Sequence, residues 1–231
     1  MLERILDYER DLFLWLNGSD SILFDHFMWL VSEKLVWIPW ILCFLWVLFY
    51  KKDWREGLLV VLFIVVLITI CDQVASGIFK PIFHRFRPTH HPDFMNEVKI
   101  LFDYRGGHYG FASSHASNAF GVATFSVLLI KNRIFTVSVV LFALLNSYSR
   151  IYLGVHFISD IVAGAMIGIL TGVLCYQLYT VSRKYLLKVQ TPDLNKPIYS
   201  RKDSYLLSSC LWIIFLILLI LNKQLVKMFQ D

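Results

Sequence analysis

Charge is scarce in this chain. Asp, Glu, Lys and Arg make up 17% of its 231 residues while 57% are hydrophobic, too few ionic side chains to solvate a soluble domain of that size. With a mean hydropathy of +0.60, the chain belongs in a membrane. Closely spaced cysteines are also missing. Cys43, Cys71, Cys175 and Cys210 lie far apart within apolar runs, which excludes the common zinc motifs and suits buried thiols. The N-terminus lacks the basic-then-apolar layout of a signal peptide, because Glu3, Asp7, Glu9 and Asp11 fall where the positive region would be. The first spanning helix is therefore expected to act as the insertion signal. No internal repeat is visible, and the one linker-like stretch, Thr191 to Asp203, is short, so residues 1–231 read as a single domain. An acidic excess is absent too. The net charge is +5, but the basic residues sit at segment ends rather than in one patch, which excludes nucleic acid as the expected partner.

What is present is a series of apolar segments. A helix needs about 20 apolar residues to cross a bilayer, fewer where aromatic and polar ends reach into the interface. Six segments approach this: Leu35 to Tyr50, Leu58 to Phe79, Ala116 to Ile130, Ile134 to Tyr148, Phe157 to Tyr179 and Leu206 to Leu221. The expected fold is all-α, an integral-membrane bundle of six transmembrane helices. Residues 1–34 form an N-terminal segment in which Leu2, Ile5, Leu6, Leu12, Phe13, Trp15 and Leu16 mix with acids and arginines, as in a helix lying in the interface. Residues 191–231 supply the linker and the last helix. Gly164, Gly168 and Gly172 recur every four residues in the fifth helix, a small face for close helix packing. Trp29, Trp37, Trp40, Trp46 and Trp54 cluster around the first helix as an aromatic belt would.

Three polar clusters interrupt the apolar pattern between residues 80 and 160. The first is Lys80-Pro-Ile-Phe-His-Arg-Phe-Arg87-Pro88. Lysine offers a mobile point charge and arginine a planar fork for two phosphate oxygens, although snorkelling cations at a helix end would look the same. The second, Ala112-Ser113-Ser114-His115, leads into a helix. Alone it reads as an ordinary N-cap, but a titratable ring beside free helix-start amides can serve an anion site. In the third, Ser149-Arg150 is followed by His156 and Asp160, four apart and hence on one helical face. There an acid can orient one ring nitrogen and leave the other free to attack.

Lys80-x6-Arg87-Pro88, Ser113-x-His115 and Ser149-Arg150-x5-His156-x3-Asp160 resemble the tripartite signature of the type 2 phosphatidic acid phosphatase superfamily, in order, spacing and placement at helix ends. The resemblance implies metal-independent, two-step hydrolysis of a membrane lipid phosphate without a cofactor. His156 would be the nucleophile, Asp160 its orienting acid and His115 the proton donor. Lys80, Arg87, Ser113, Ser114 and Arg150 would hold phosphoryl oxygens. The chain departs from the family at Ala112 and Ser114, where proline and glycine are usual, so Ser114 brings a hydroxyl in place of a bare backbone. Undecaprenyl diphosphate leads as the expected substrate, with phosphatidylglycerophosphate, phosphatidic acid and lipid A as alternatives. A lipid transporter and a non-catalytic lipid-binding protein are the rival classes. Their signatures, repeated halves or a missing His156 or Arg150, do not occur.

Orientation follows from lysine and arginine. The loops after helices one, three and five carry eleven of the 22. The opposite side carries the other eleven, and setting aside Lys80, Arg87 and Arg150 leaves eight there, so the motif loops are expected to face outward from a bacterial inner membrane. On that side His84, His90, His91, Asp93 and His108 fit no common metal pattern and read as loop residues. Arg105, in a glycine-rich turn, is a candidate headgroup contact.

Overall fold

The computed structural model describes residues 2–194 and 196–230. The side chains of Leu2, Glu3, Arg4, Asp7 and Gln230 lie outside that description, and with them the Leu2 member of the N-terminal apolar set. The described residues form helices and no strand: α1 (Leu2–Leu16), α2 (Ile22–Ser32), α3 (Ile38–Phe49), α4 (Trp54–Phe83), α5 (Ser114–Ile130), α6 (Arg133–Tyr152), α7 (Ile158–Leu186), α8 (Arg201–Ile220) and α9 (Asn222–Gln230), with a few short helical turns between them.

Each long helix starts where a side chain can satisfy the free amides of its first turn. Asp53 accepts from the Arg55 amide at 2.9 Å to open α4. Asn132 accepts from Ile134 and Phe135 at 3.0 and 3.2 Å to open α6. Ser200 and Asp203 cap α8 reciprocally, at 3.2 and 2.8 Å.

Four of these helices, α4, α6, α7 and α8, are long and apolar enough to cross a membrane. A fifth span results if α2 and the Leu35–Phe49 segment, bent by 75° at their junction, count as one crossing. Helix α5 is apolar but shorter, at 17 residues. The six expected segments thus correspond to four full spans, one arm of a bent pair and one short helix. Val31 accepts hydrogen bonds from Asn146 and from the Trp37 indole at 3.0 and 3.1 Å, which fixes α2 against α6. Trp29 and Trp37 are consequently core residues, not belt residues. Trp37 packs edge-on against Phe142 and Phe215, while Trp46 and Trp54 stay exposed.

Packing of α5 on α7 is the most extensive helix contact, and the glycine face explains it. A Cβ at Gly164 would strike the Ser113 carbonyl, one at Gly168 the Ser117 carbonyl, and one at Gly172 would stand 2.8 Å from the Gly121 carbonyl. At the end of the bundle away from the motifs, Glu56 of α4 accepts from Arg183 of α7 at 3.0 Å and from the Tyr179 hydroxyl.

Helix α4 runs four residues beyond its expected end at Phe79, through a π-helical stretch at Gln73–Phe79. Lys80 therefore sits on the helix rather than in the loop after it.

Candidate active site

The motif loops meet at one end of the bundle, where α4 ends and α5 and α7 begin. His156 is the last residue but one before α7, 1% exposed, with Nδ1 3.3 Å from Asp160 Oδ2. Asp160 is fully buried, and its Oδ2 also accepts the Phe157 amide at 3.0 Å, closing the first turn of α7. Gly110 backs onto this pair. A Cβ there would lie 2.8 Å from Asp160 Oδ2 and 3.6 Å from His156 Nδ1, so the loop comes this close only because residue 110 has no side chain.

Burial holds the His156 ring well below the ordinary histidine pKa, and the charges of Arg87, Arg150 and Lys80 act in the same direction. The ring is neutral at physiological pH, the form in which a nitrogen lone pair is available.

The cations are unusual in their lack of counter-ions. Arg150 is 2% exposed and forms no ion pair with an acid among the described residues. One of its nitrogens donates to the Tyr104 hydroxyl at 2.7 Å, and its Nε has no hydrogen-bond partner. Arg87, 9% exposed, donates to the carbonyls of Tyr109 and Val155, each at 3.2 Å. Burial and then the Arg150 charge depress the Arg87 pKa from its ordinary value. Lys80 donates to the Ser76 hydroxyl at 2.9 Å. A buried cation without an anion is costly unless a ligand supplies one, and here buried Arg87 and Arg150 and half-buried Lys80 all act on the same imidazole. The arrangement can hold a multiply charged anion.

Ser113 and Ser114 start α5 and have separate tasks. Ser113 is the N-cap: its hydroxyl accepts the Ala116 amide at 3.4 Å and its own amide donates to the Asp160 carbonyl at 3.0 Å, tying α5 to α7. The Ser114 hydroxyl accepts from Ser76 at 3.3 Å, joining it to Lys80. His115 follows, partly exposed, with Arg150, His156 and Arg87 near enough for their charges to act on it. Arg105 stands apart from the buried centre. It is exposed and clasps the loop by donating to the Thr89 carbonyl at 3.4 Å while its own carbonyl accepts from Thr89 at 2.8 Å.

Residues 57–184 match the PAP2 superfamily, more than half the chain and all three clusters. The chain belongs to the PAP2 superfamily. It is a membrane protein and a phosphoric ester hydrolase, a PAP2 lipid phosphatase. It is 39% identical over 229 residues to the lipid A 4'-phosphatase of Porphyromonas gingivalis, covering 99% of this chain and 97% of that one. The lipid A 4'-phosphatase of Bacteroides thetaiotaomicron is 35% identical over 83% of this chain and 84% of its own length. The undecaprenyl-diphosphatase of Sulfolobus acidocaldarius is more distant, 26% identical over 72% of this chain and 76% of its own. Among solved structures, Aquifex aeolicus LpxE superposes with a TM-score of 0.54 at 29% identity, covering 74% of this chain and 95% of that one.

Three residues of this candidate site are not marked out by the sequence analysis above. Arg85 lies inside the first cluster, buried at 2% exposure, and donates to Asp160 Oδ1 at 2.8 Å. Ser76 bridges Lys80 and Ser114 from one turn earlier in α4. Tyr104 holds Arg150. Arg85 was detectable as the first arginine of the Arg85-Phe86-Arg87 pair; nothing in the local sequence marks Tyr104.

Proposed function

We propose that this PAP2 phosphatase removes the 4'-phosphate of a lipid A-type glycolipid through a phosphohistidine on His156. The observation that carries the substrate is the 39% identity to a lipid A 4'-phosphatase along nearly the whole length of both chains. Undecaprenyl diphosphate, the leading expectation from sequence, has the weaker support of a 26% identical relative.

In the first step Nε2 of neutral His156 attacks phosphorus, and the bond from phosphorus to the sugar oxygen breaks. Asp160 Oδ2 accepts the Nδ1 proton in a hydrogen bond, supporting the positive ring that forms. His115, in its protonated form when substrate is bound, gives its proton to the departing sugar oxygen. In the second step water attacks the phosphohistidine, His115 takes a water proton, and inorganic phosphate leaves. Lys80, Arg87 and Arg150 hold the equatorial phosphoryl oxygens, with the Ser113 hydroxyl and the α5 amides completing the cradle.

Six crossings accommodate this chemistry, with α2 and α3 as one bent span and α5, packed against α4, α6 and α7, as the short sixth. Helix α1 lies in the interface on the motif side. The lysine and arginine distribution turns that side to the periplasm of a bacterial inner membrane, and a label at Lys188 is expected to be inaccessible from outside intact cells.

The test of the substrate is phosphate release by purified protein from lipid A bisphosphate, undecaprenyl diphosphate and phosphatidylglycerophosphate, with chelator present. Loss of the 4'-phosphate of lipid A at the highest kcat/KM is expected. Preference for undecaprenyl diphosphate by tenfold or more would reverse the assignment.

A further inference from the structure

Glu9 has no place in the chemistry above, yet it is buried at 7% exposure. It belongs to α1, which shows two faces. Ile5, Tyr8, Leu12 and Trp15 point outward, with Tyr8 88% and Trp15 78% exposed, as suits a helix set in the interface. Leu6, Glu9 and Phe13 turn inward at helical spacing, and Phe13 packs edge-on against Phe157 with centroids 5.3 Å apart. The inward face thus brings one charge into the protein.

That charge meets Arg85. The Arg85 guanidinium bridges two carboxylates, donating from Nη2 to Glu9 Oε1 at 2.5 Å and from Nη1 to Asp160 Oδ1 at 2.8 Å. It is 4.4 Å from the Phe157 ring centroid, so its orientation is held by packing as well as by hydrogen bonds. Glu9 is itself fixed by the Ser159 amide at 2.8 Å and the Ser159 hydroxyl at 2.7 Å, next to Asp160 in sequence. The result is a continuous buried path from the interfacial helix to the imidazole: Glu9, Arg85, Asp160, His156.

We propose that Glu9 is a positioning residue for phosphoryl transfer, acting through Arg85 on the Asp160 carboxylate that holds His156. The proposal rests on the reading of His156 as nucleophile. Its physical basis is the sharing of one guanidinium between two acids. With Glu9 taking half of Arg85, Asp160 keeps its second oxygen and enough negative charge for the imidazole. Without Glu9, Arg85 turns its whole charge on Asp160, weakens the hold on Nδ1 and loosens the ring. Seating of α1 in the interface and competence of the site become one condition.

The test measures kcat and KM on lipid A bisphosphate in detergent micelles for Glu9→Gln, Glu9→Asp, Asp160→Asn and the double variant Glu9→Gln with Asp160→Asn. Folding is followed by size exclusion and melting. Glu9→Gln is expected to lower kcat about tenfold with KM changed by less than about twofold, and Glu9→Asp to recover part of the loss. In the Asp160→Asn background Glu9→Gln is expected to cost nothing further, because the two act in series. Wild-type kcat in Glu9→Gln, a raised KM at unchanged kcat, or the same loss in both backgrounds would overturn the proposal and leave Glu9 a structural staple. Should Glu9→Gln fail to fold, Arg85→Lys takes its place with the same expectations. His156→Ala, run in parallel, separates the two levels: full activity there removes the nucleophile assignment, whereas an inactive His156→Ala beside a fully active Glu9→Gln removes only this inference.

Discussion

The Ser114 hydroxyl lies 3.3 Å from the Ser76 hydroxyl, which in turn receives a hydrogen bond from Lys80 at 2.9 Å. A serine where the family usually has glycine thus does more than fit; it completes a chain that aims the Lys80 ammonium from α4 toward the start of α5. Ser76 reaches it through the π-helical stretch Gln73–Phe79, a distortion often found where a helix serves a site. Ser76→Ala is expected to raise KM about ten- to a hundredfold, the value of one hydrogen bond to a charged group, with melting behaviour preserved. An unchanged KM would show that Lys80 needs no such guide.

The glycine face of α7 makes a second prediction. Any side chain at Gly168 meets the Ser117 carbonyl, so Gly168→Leu must push α5 away from α7 and drag Ser113 from Asp160. A lower melting temperature in detergent and lost activity together are expected, with overpacking costing about 1–3 kcal/mol. Leucine tolerated at wild-type stability would mean that the contact is not close.

Much of this was legible in the sequence, for physical reasons. His156 and Asp160 lie four apart, close enough in sequence for the turn that leads into α7 to bring Nδ1 within 3.3 Å of Oδ2, although His156 itself precedes the helix. The four-residue glycine spacing pointed to a close helix contact, though not to α5 as the partner. The three clusters, in their order and internal spacing, together carried the family resemblance. What could not be read depended on tertiary contact. Glu9 looked like one of several acids on an interfacial helix, because nothing local says which face turns inward. Trp29 and Trp37 have the composition of a membrane belt and were misplaced by it, since the 75° bend that buries them follows from packing on α6 and α8. Lys80 is expected just past a helix ending at Phe79, whereas a short helical piece, Lys80–Phe83, continues α4 and tolerates Pro81 in its first turn.

The buried His156 ring fixes the sign of a pH effect. Its pKa in the folded protein is depressed, by burial first and then by Arg87, Arg150 and Lys80, whereas in the unfolded chain histidine titrates near about 6.5. The unfolded state therefore binds the proton first as pH falls. The contribution to stability is complete above about pH 6.5 and is lost as pH drops below it toward the folded value. Melting curves of wild type and His156→Gln are expected to converge or cross between about pH 7 and 5, the wild type losing stability faster. Parallel curves would indicate a ring that is not held neutral.

The central claim is that His156 becomes phosphorylated, and rapid acid-free quenching of enzyme mixed with radiolabelled lipid A bisphosphate tests it most directly. Wild-type enzyme is expected to carry a protein-bound phosphate, labile to acid and stable to base. Neither that adduct nor measurable phosphate release is expected in His156→Ala, a loss of at least about a thousandfold. Phosphate release by His156→Ala at the wild-type rate would contradict the claim.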